Sequence, residues 1–249
     1  MNIKNSSLTT DIDTVLNNYD FDFSDVEINP LGNGHINSTY KLTAPNAEFV
    51  LQKINHDVFT KTVELSENAK KINTHLAKQN TLGNYPLHVP QLLLTKNGET
   101  TIKIGNNYWR LMEFISDSYT LEEVSSPKQA SLVARSFAQF SGALSNFPAE
   151  DLTVIINDFH DISFRLNQLN EAIAANAENR LNQCQEQVDF CLSQQRFIDE
   201  VIEISQKLPV HVTHNDTKIN NLLFAKGDLP CAVIDLDTCM PGLLMHDFG

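Results

Sequence analysis

Two segments near the end of the chain constrain it most, because each ties ionisable residues to strand-like apolar runs. They read Val212-Thr213-His214-Asn215-Asp216-Thr217-Lys218-Ile219-Asn220-Asn221-Leu222-Leu223-Phe224 and Ala232-Val233-Ile234-Asp235-Leu236-Asp237. The runs Leu222-Leu223-Phe224 and Ala232-Val233-Ile234 belong in a core, so the polar residues between them must sit in a loop anchored at both ends. One reading stops there: a polar turn between two buried strands, with Asn and Asp present for turn chemistry.

The spacing carries a second reading. His-x-Asp-x-Lys-x-x-Asn is followed, fourteen residues after Asn221, by Asp235 at the end of an apolar strand. Phosphoryl transfer needs a carboxylate to orient the attacking hydroxyl, a cation beside the transferring phosphate and oxygen ligands for Mg²⁺. Asp216 and Lys218 are the candidate catalytic pair, and Asn221 and Asp235 the candidate metal ligands. Their order is that of a kinase catalytic loop.

Composition narrows the partners. The 249 residues suffice for one large domain or two small ones, and the formal net charge is −13. Nucleic-acid binding needs clustered Lys and Arg, so no nucleic-acid partner is expected. The N-terminus carries no apolar targeting core and no 18-residue apolar run occurs, so a cytoplasmic protein with no membrane partner is expected. Cys184, Cys191, Cys231 and Cys239 form no CxxC pair and read as buried free thiols.

The first half reads as strands, one helix and more strands. A short helix is expected at 10–18. Strands are expected at Val26–Leu31, Thr39–Thr43 and Glu48–Ile54, the last two joined by Ala44-Pro45-Asn46. Leu65, Ala69, Ile72 and Leu76 share one face of a helix over 61–79. Val89–Thr95 and Thr100–Ile104 are expected as strands around the Asn97-Gly98 turn, with Tyr108–Ile115 as a further strand. From Ser126-Pro127 the period becomes helical, with Ala130, Val133, Ala134 and Phe137 on one face. Helices continue over 162–177 and roughly 178–207 before strands return at 210–237. The expected fold is α+β: an antiparallel sheet with a helix, then a mainly helical lobe. The lobe boundary is expected at Ser116-Asp117-Ser118, giving 1–115 for nucleotide binding and 116–249 for catalysis and the acceptor.

Gly32-Asn33-Gly34-His35-Ile36-Asn37-Ser38-Thr39-Tyr40 lies between two expected strands. Gly32 and Gly34 would let backbone amides approach phosphates, with Asn37, Ser38 and Thr39 adding donors. A plain hairpin loop is the other reading. Lys53 on the next strand could reach the phosphates, or be a solvated edge charge. Its acidic partner is Glu64 or Glu67; the helical spacing does not choose. Backbone groups from Glu113 to Ile115 are placed to meet adenine.

Together these segments resemble the phosphotransferase family of aminoglycoside phosphotransferases and choline kinases, whose fold is bilobal and protein-kinase-like. The resemblance spans nearly the whole chain. Leu51-Gln52-Lys53-Ile54-Asn55, with the Gly-His-Ile-Asn stretch, points more narrowly to N-acetylhexosamine 1-kinases. The resemblance implies Asp216 as base, Asn221 and Asp235 as Mg²⁺ ligands, Lys53 as nucleotide lysine and Glu67 as its partner. Asp237 supports the metal site or holds the strand turn. Phe159-His160-Asp161 and Arg165 approach the sugar, unless Asp161 is a helix N-cap. Asp247-Phe248-Gly249 is a later structural segment, since Asp235 fills the metal position. Family members continue past the equivalent of Gly249, so the helical lobe is expected to be C-terminally incomplete.

The expected function is transfer of the γ-phosphoryl of ATP, with Mg²⁺, to the anomeric hydroxyl of an amino sugar. Alternatives are an aminoglycoside, choline or homoserine acceptor, an inactive nucleotide-binding module, and a helical interaction protein built on 178–207.

Overall fold

Leu42, Phe49, Leu51, Trp109 and Leu111 fall on one face of a sheet because strand side chains alternate. The sheet belongs to a computed structural model that describes residues 6–32 and 36–248. Its strands are β1 (Glu27–Pro30), β2 (Ser38–Ala44), β3 (Ala47–Ile54), β4 (Leu92–Leu93), β5 (Ile102–Ile104) and β6 (Asn107–Glu113). Their order is β1-β2-β3-β6-β4, with β5 also on β6. A helix, α1 (Ser6–Leu16), covers the apolar face with Ile12, Val15 and Leu16.

The expected pairing around Asn97-Gly98 is corrected. Both β4 and β5 pair with β6, through Leu92↔Met112 and Ile102↔Trp109, and not with each other. Thr95 closes the turn locally, accepting from Gly98 N on its carbonyl and from Glu99 N on its hydroxyl. The long β6 then offers its one open edge to both short strands.

The helix α2 (Thr62–Thr81) buries Leu65, Ala69, Ile72 and Leu76, the face its spacing predicts. Each of the three larger side chains, Leu65, Ile72 and Leu76, contributes roughly 1.5–3 kcal/mol. Ser126 caps α3 (Pro127–Ala143), its hydroxyl accepting from Gln129 N at 3.2 Å. Here the buried stripe is Gln129, Ser136, Phe137, Phe140 and Ala143, while Ala130 and Ala134 are exposed. Two phenylalanines outweigh two alanines in apolar area, so they set the rotation of the helix.

Contacts divide the chain into two compact units, Met1–Ile155 with His211–Gly249, and Ile156–Val210. The second unit contains α4 (Ile162–Ala175), α5 (Gln185–Ser193) and α6 (Gln195–Ser205). The helix expected over 178–207 is therefore broken. Asn176, Glu178 and Asn179 adopt positive φ, which ends α4, and Gln194 separates α5 from α6. Cys184 and Cys191 are exposed and free, so of the four thiols only Cys239 is fully buried.

The first unit closes with β7 (His211–Thr213), β8 (Leu222–Ala225), β9 (Leu229–Val233), β10 (Met240–Gly242) and α7 (Met245–Phe248). β8 pairs with β9 and β7 with β10, both antiparallel. Leu222, Phe224 and Val233 join Ile72, Leu76, Phe137 and Phe140 in one core. That core fixes the loop between β7 and β8. Among the described residues, no helix is long and apolar enough to cross a membrane.

Candidate active site

The β7–β8 loop is held from three sides. His214 is fully buried, with Phe137 and Phe140 each edge-on at 5.6 Å between ring centroids. Its Nε2 lies 3.1 Å from the Ile234 carbonyl, which can only accept, so Nε2 carries the proton. Burial lowers the His214 pKa and keeps the ring neutral, against the Ile234 hydrogen bond and the Asp247 charge. Behind it, Asp247 accepts from His214 N at 2.8 Å and Asn215 N at 2.7 Å. A carboxylate taking two backbone amides is a strong clamp. Asp247 thus fills the structural place expected of it; Gly249 lies outside the described residues.

This clamp presents Asp216, Lys218 and Asn221 together. Lys218 Nζ lies 2.8 Å from Asp216 Oδ2. Asn221 Nδ2 donates to Asp216 Oδ2 at 2.9 Å and to its carbonyl at 2.8 Å. With Nδ2 committed, the Asn221 amide oxygen is left as an acceptor. Ile234 N donates to the Asn221 carbonyl at 3.0 Å, so Asp235 starts one residue from the loop. Asp235 is solvent-accessible and sits at φ 62. Protein packed around its carboxyl, then the Asp237 charge, push its pKa up to about 6, with Arg110 pulling it down. An amide oxygen and an electrostatically strained carboxylate are hard donors suited to a hard cation, which takes few protein ligands and completes its shell with water and phosphate. Among the described residues, no three His, Cys, Asp or Glu side chains converge as a metal site of their own.

The sheet places the other expected residues less uniformly. Gly32 turns at φ +72, as a glycine permits; Gly34 lies outside the described residues. Asn37 donates from Nδ2 to Asp237 Oδ2 at 2.7 Å and accepts from Asn55 N at 2.9 Å. Thr39 Oγ1 accepts from Gln52 Nε2 at 3.0 Å. Ser38 pairs with Lys53, and Lys53 pairs with Trp109. That register puts Lys53 on the sheet face of Leu51 and Trp109, away from Gln52 and Arg110. Glu67 accepts from Thr100 Oγ1 at 2.7 Å and lies 3.9 Å from Lys70. Among the described residues, no ion pair joins Lys53 to Glu67 or Glu64. Glu113 spends its N–H on the Gln91 carbonyl, and its carboxylate meets His88 at 2.9 Å. The Ile115 carbonyl accepts from Ser118 Oγ at 2.6 Å.

Three site residues escape sequence reasoning. Arg110 is 3% exposed and pairs through Nη2 with Asp237 Oδ1. Its Nε also donates to Gln52 Oε1 at 3.0 Å. Breaking such a buried pair from one side costs about 3–5 kcal/mol. Asn68, buried on α2, donates to the carbonyls of Thr153 at 2.8 Å and Cys239 at 3.2 Å. So α2 grips the segment after Asp237 through Asn68, the neighbour of the expected Glu67. Arg110, Gln52 and Asn68 lie in the segments Trp109-Arg110, Leu51-Gln52-Lys53-Ile54-Asn55 and Glu67-Asn68 that carry the family resemblance, but nothing in them assigns these three a role. In the second unit, Asp161 caps α4 by accepting from Phe164 N at 2.8 Å, and Arg165 donates to the Phe159 carbonyl at 2.7 Å.

Comparison with known proteins places the fold. An aminoglycoside phosphotransferase from Alicyclobacillus acidocaldarius superposes with a TM-score of 0.58 at 13% identity, over 94% of this chain and 68% of that one. A microcompartment-associated aminopropanol kinase gives 0.56 at 15%, over 96% and 72%. Spectinomycin phosphotransferase APH(9)-Ia, solved with ADP and spectinomycin, gives 0.53 at 13%, over 96% and 71%. At such identities the likeness establishes the protein-kinase-like fold. The model of the phosphotransferase enzyme family, APH, matches residues 27–249. With nearly the whole chain matched and the loop geometry in place, this protein belongs to the APH phosphotransferase enzyme family.

Proposed function

We propose that the chain transfers the γ-phosphoryl of ATP, with Mg²⁺, to the anomeric hydroxyl of an N-acetylhexosamine. The observation that carries the reaction type is Asp216, held by Asn221 at 2.9 Å and Lys218 at 2.8 Å beside Asp235. ADP in the spectinomycin phosphotransferase supports an adenine nucleotide. The amino-sugar acceptor is supported by the Gly34-His35-Ile36-Asn37 and Leu51-Gln52-Lys53-Ile54-Asn55 segments. The lobe boundary falls at Ser116-Asp117-Ser118, a reading supported by the tight turn there, with Asp117 at φ 56.

Asp216 accepts a hydrogen bond from the acceptor hydroxyl and aligns its oxygen with the γ-phosphorus. The transition state is loose, so the proton moves late and alignment contributes most. Lys218 stands beside Asp216 and offsets charge on the transferring group. Asn221 and Asp235 would hold Mg²⁺, which when bound neutralises phosphate charge. The donor set fits: one carboxylate and one amide oxygen leave the remaining positions to phosphate and water.

Phosphorus-31 NMR of the protein with Mg-ATP tests this directly. N-acetylglucosamine, N-acetylgalactosamine, an aminoglycoside, choline and homoserine are offered separately. A sugar-1-phosphate resonance with stoichiometric ADP is expected for an N-acetylhexosamine. A signal only with another acceptor refutes the sugar assignment, and Mg-ATP binding without transfer marks an inactive module. Asp216→Asn lowers turnover by about 10²–10⁴-fold and leaves nucleotide affinity nearly unchanged. Loss of nucleotide binding in that variant would remove Asp216 from the role of base.

A further inference from the structure

Lys53 lies on the opposite face of the sheet from Gln52 and Arg110. Gln52 and Arg110 are register partners on neighbouring strands, so their side chains share a face. On that face Gln52 Oε1 accepts from Arg110 Nε at 3.0 Å, and its Nε2 donates to Thr39 Oγ1 at 3.0 Å. The guanidinium, aimed by Gln52, reaches Asp237 Oδ1. The other oxygen of Asp237 accepts from Asn37 Nδ2 at 2.7 Å, and Asn37 Oδ1 accepts from Asn55 N at 2.9 Å. Asp237, two residues after Asp235, therefore joins the middle of the sheet to Asn37 at the start of β2.

We propose that Arg110, aimed by Gln52 and paired with Asp237, is the positioning cation of the nucleotide site, and that it fixes Asp235 and Asn37 in place of a sheet lysine. Arg110 suits the task because its planar fork serves Gln52 and Asp237 at once; a lysine ammonium cannot span both with fixed direction. At 3% exposure it does not itself meet phosphate, so its effect passes through Asp237. Lys53, on the opposite face, takes no part in it.

The inference rests on the phosphotransferase reading, and the test separates the two. ADP binding is measured by calorimetry, with and without Mg²⁺, alongside thermal melting. Arg110→Met with Asp237→Leu removes both charges together, so no lone charge is left buried. That double variant is expected to fold and to need about 10–100-fold more Mg²⁺ for ADP binding. Gln52→Met is the milder probe should the double variant not fold. It leaves every charge in place, loses the aim of the guanidinium along with the Thr39 hydrogen bond, and shifts the Mg²⁺ requirement in the same direction. Lys53→Met is expected to stay within about twofold of the parent. A folded variant with the parental Mg²⁺ requirement overturns the positioning role, since a merely structural strut would be restored along with the fold. A large loss in Lys53→Met overturns it too. Failure of the parent protein to bind ADP with Mg²⁺ refutes instead the phosphotransferase reading beneath it.

Discussion

Asp235 shows at the residue scale how the site is charged against itself. Its carboxyl is pushed up to about 6, first by the protein packed around it and next by Asp237, despite the opposing pull of Arg110. The sign follows from linkage: a carboxyl with a raised folded-state pKa holds its proton more tightly in the folded than in the unfolded chain. Its ionisation therefore removes stability as pH rises from about 4, its ordinary value, through about 6. Asp235→Asn is expected to melt with the parent at about pH 4 and above it from about pH 6.5, because the amide never ionises. Mg²⁺ with nucleotide should raise the parent's melting point there and the variant's far less. Parallel melting curves across this range would show that Asp235 pays no ionisation penalty. The residues that sequence reasoning found here, Asp216, Lys218 and Asn221, lie within six positions of one another. Arg110 and Asp237 are 127 positions apart, and nothing local marks them as partners. Lys53 and Gln52 are neighbours, yet strand alternation sends them to opposite faces, and pattern alone does not say which face meets the site.

At the scale of elements, the pairing of β7 with β10 decides whether the loop is presented at all. Gly242 is opposite His211, two places along from the pair Met240↔Thr213. A Cβ built on Gly242 would lie 2.3 Å from Thr213 Oγ1 and 3.3 Å from its Cγ2. Thr213 is fully buried and its hydroxyl donates to the Met240 carbonyl at 3.1 Å, so it has little room to turn away. Gly242→Ala is expected to cost about 1–3 kcal/mol in denaturant unfolding. Adding Thr213→Ala deletes both clashing atoms and should recover much of that loss, a coupling that a double-mutant cycle measures. Additive losses would mean that the two strands tolerate the methyl group by another route. The closeness that Gly242 must allow appears only once the register is known. The α2 face was readable because a 20-residue helix repeats its signal. The pairing of β4 and β5 was not, because strands of two and three residues carry no pattern that names a partner.

For the whole molecule, the two units differ in how much apolar surface secures them. The unit with the sheet and the loop holds both apolar cores, one around Trp109 and one around Phe140 and Phe224. In the unit Ile156–Val210, the buried residues are Val188 and Ile198, and α4 has none. Its helices show Phe190, Phe197 and Ile204 to solvent, so tertiary burial adds little to helices of 9 to 14 residues. Helices this short are marginal in water on propensity alone. The mistaken expectation of one helix over 178–207 has the same root. Sequence periodicity persists there, but no core holds the segment straight, and Asn176, Glu178 and Asn179 leave the helical region. Local opening is thus expected to begin in this unit. In native-state hydrogen exchange, amides of 156–210 should exchange well before those of β2, β3 and β6. Limited proteolysis should cut first between Ala175 and Gln185, where positive-φ residues and exposed side chains coincide. Mg-ATP, held by the other unit, should slow exchange around Asp216 and Asp235 and leave the cut site about as labile as before. Equal protection in both units would show that the helices draw on stability that their own burial does not supply.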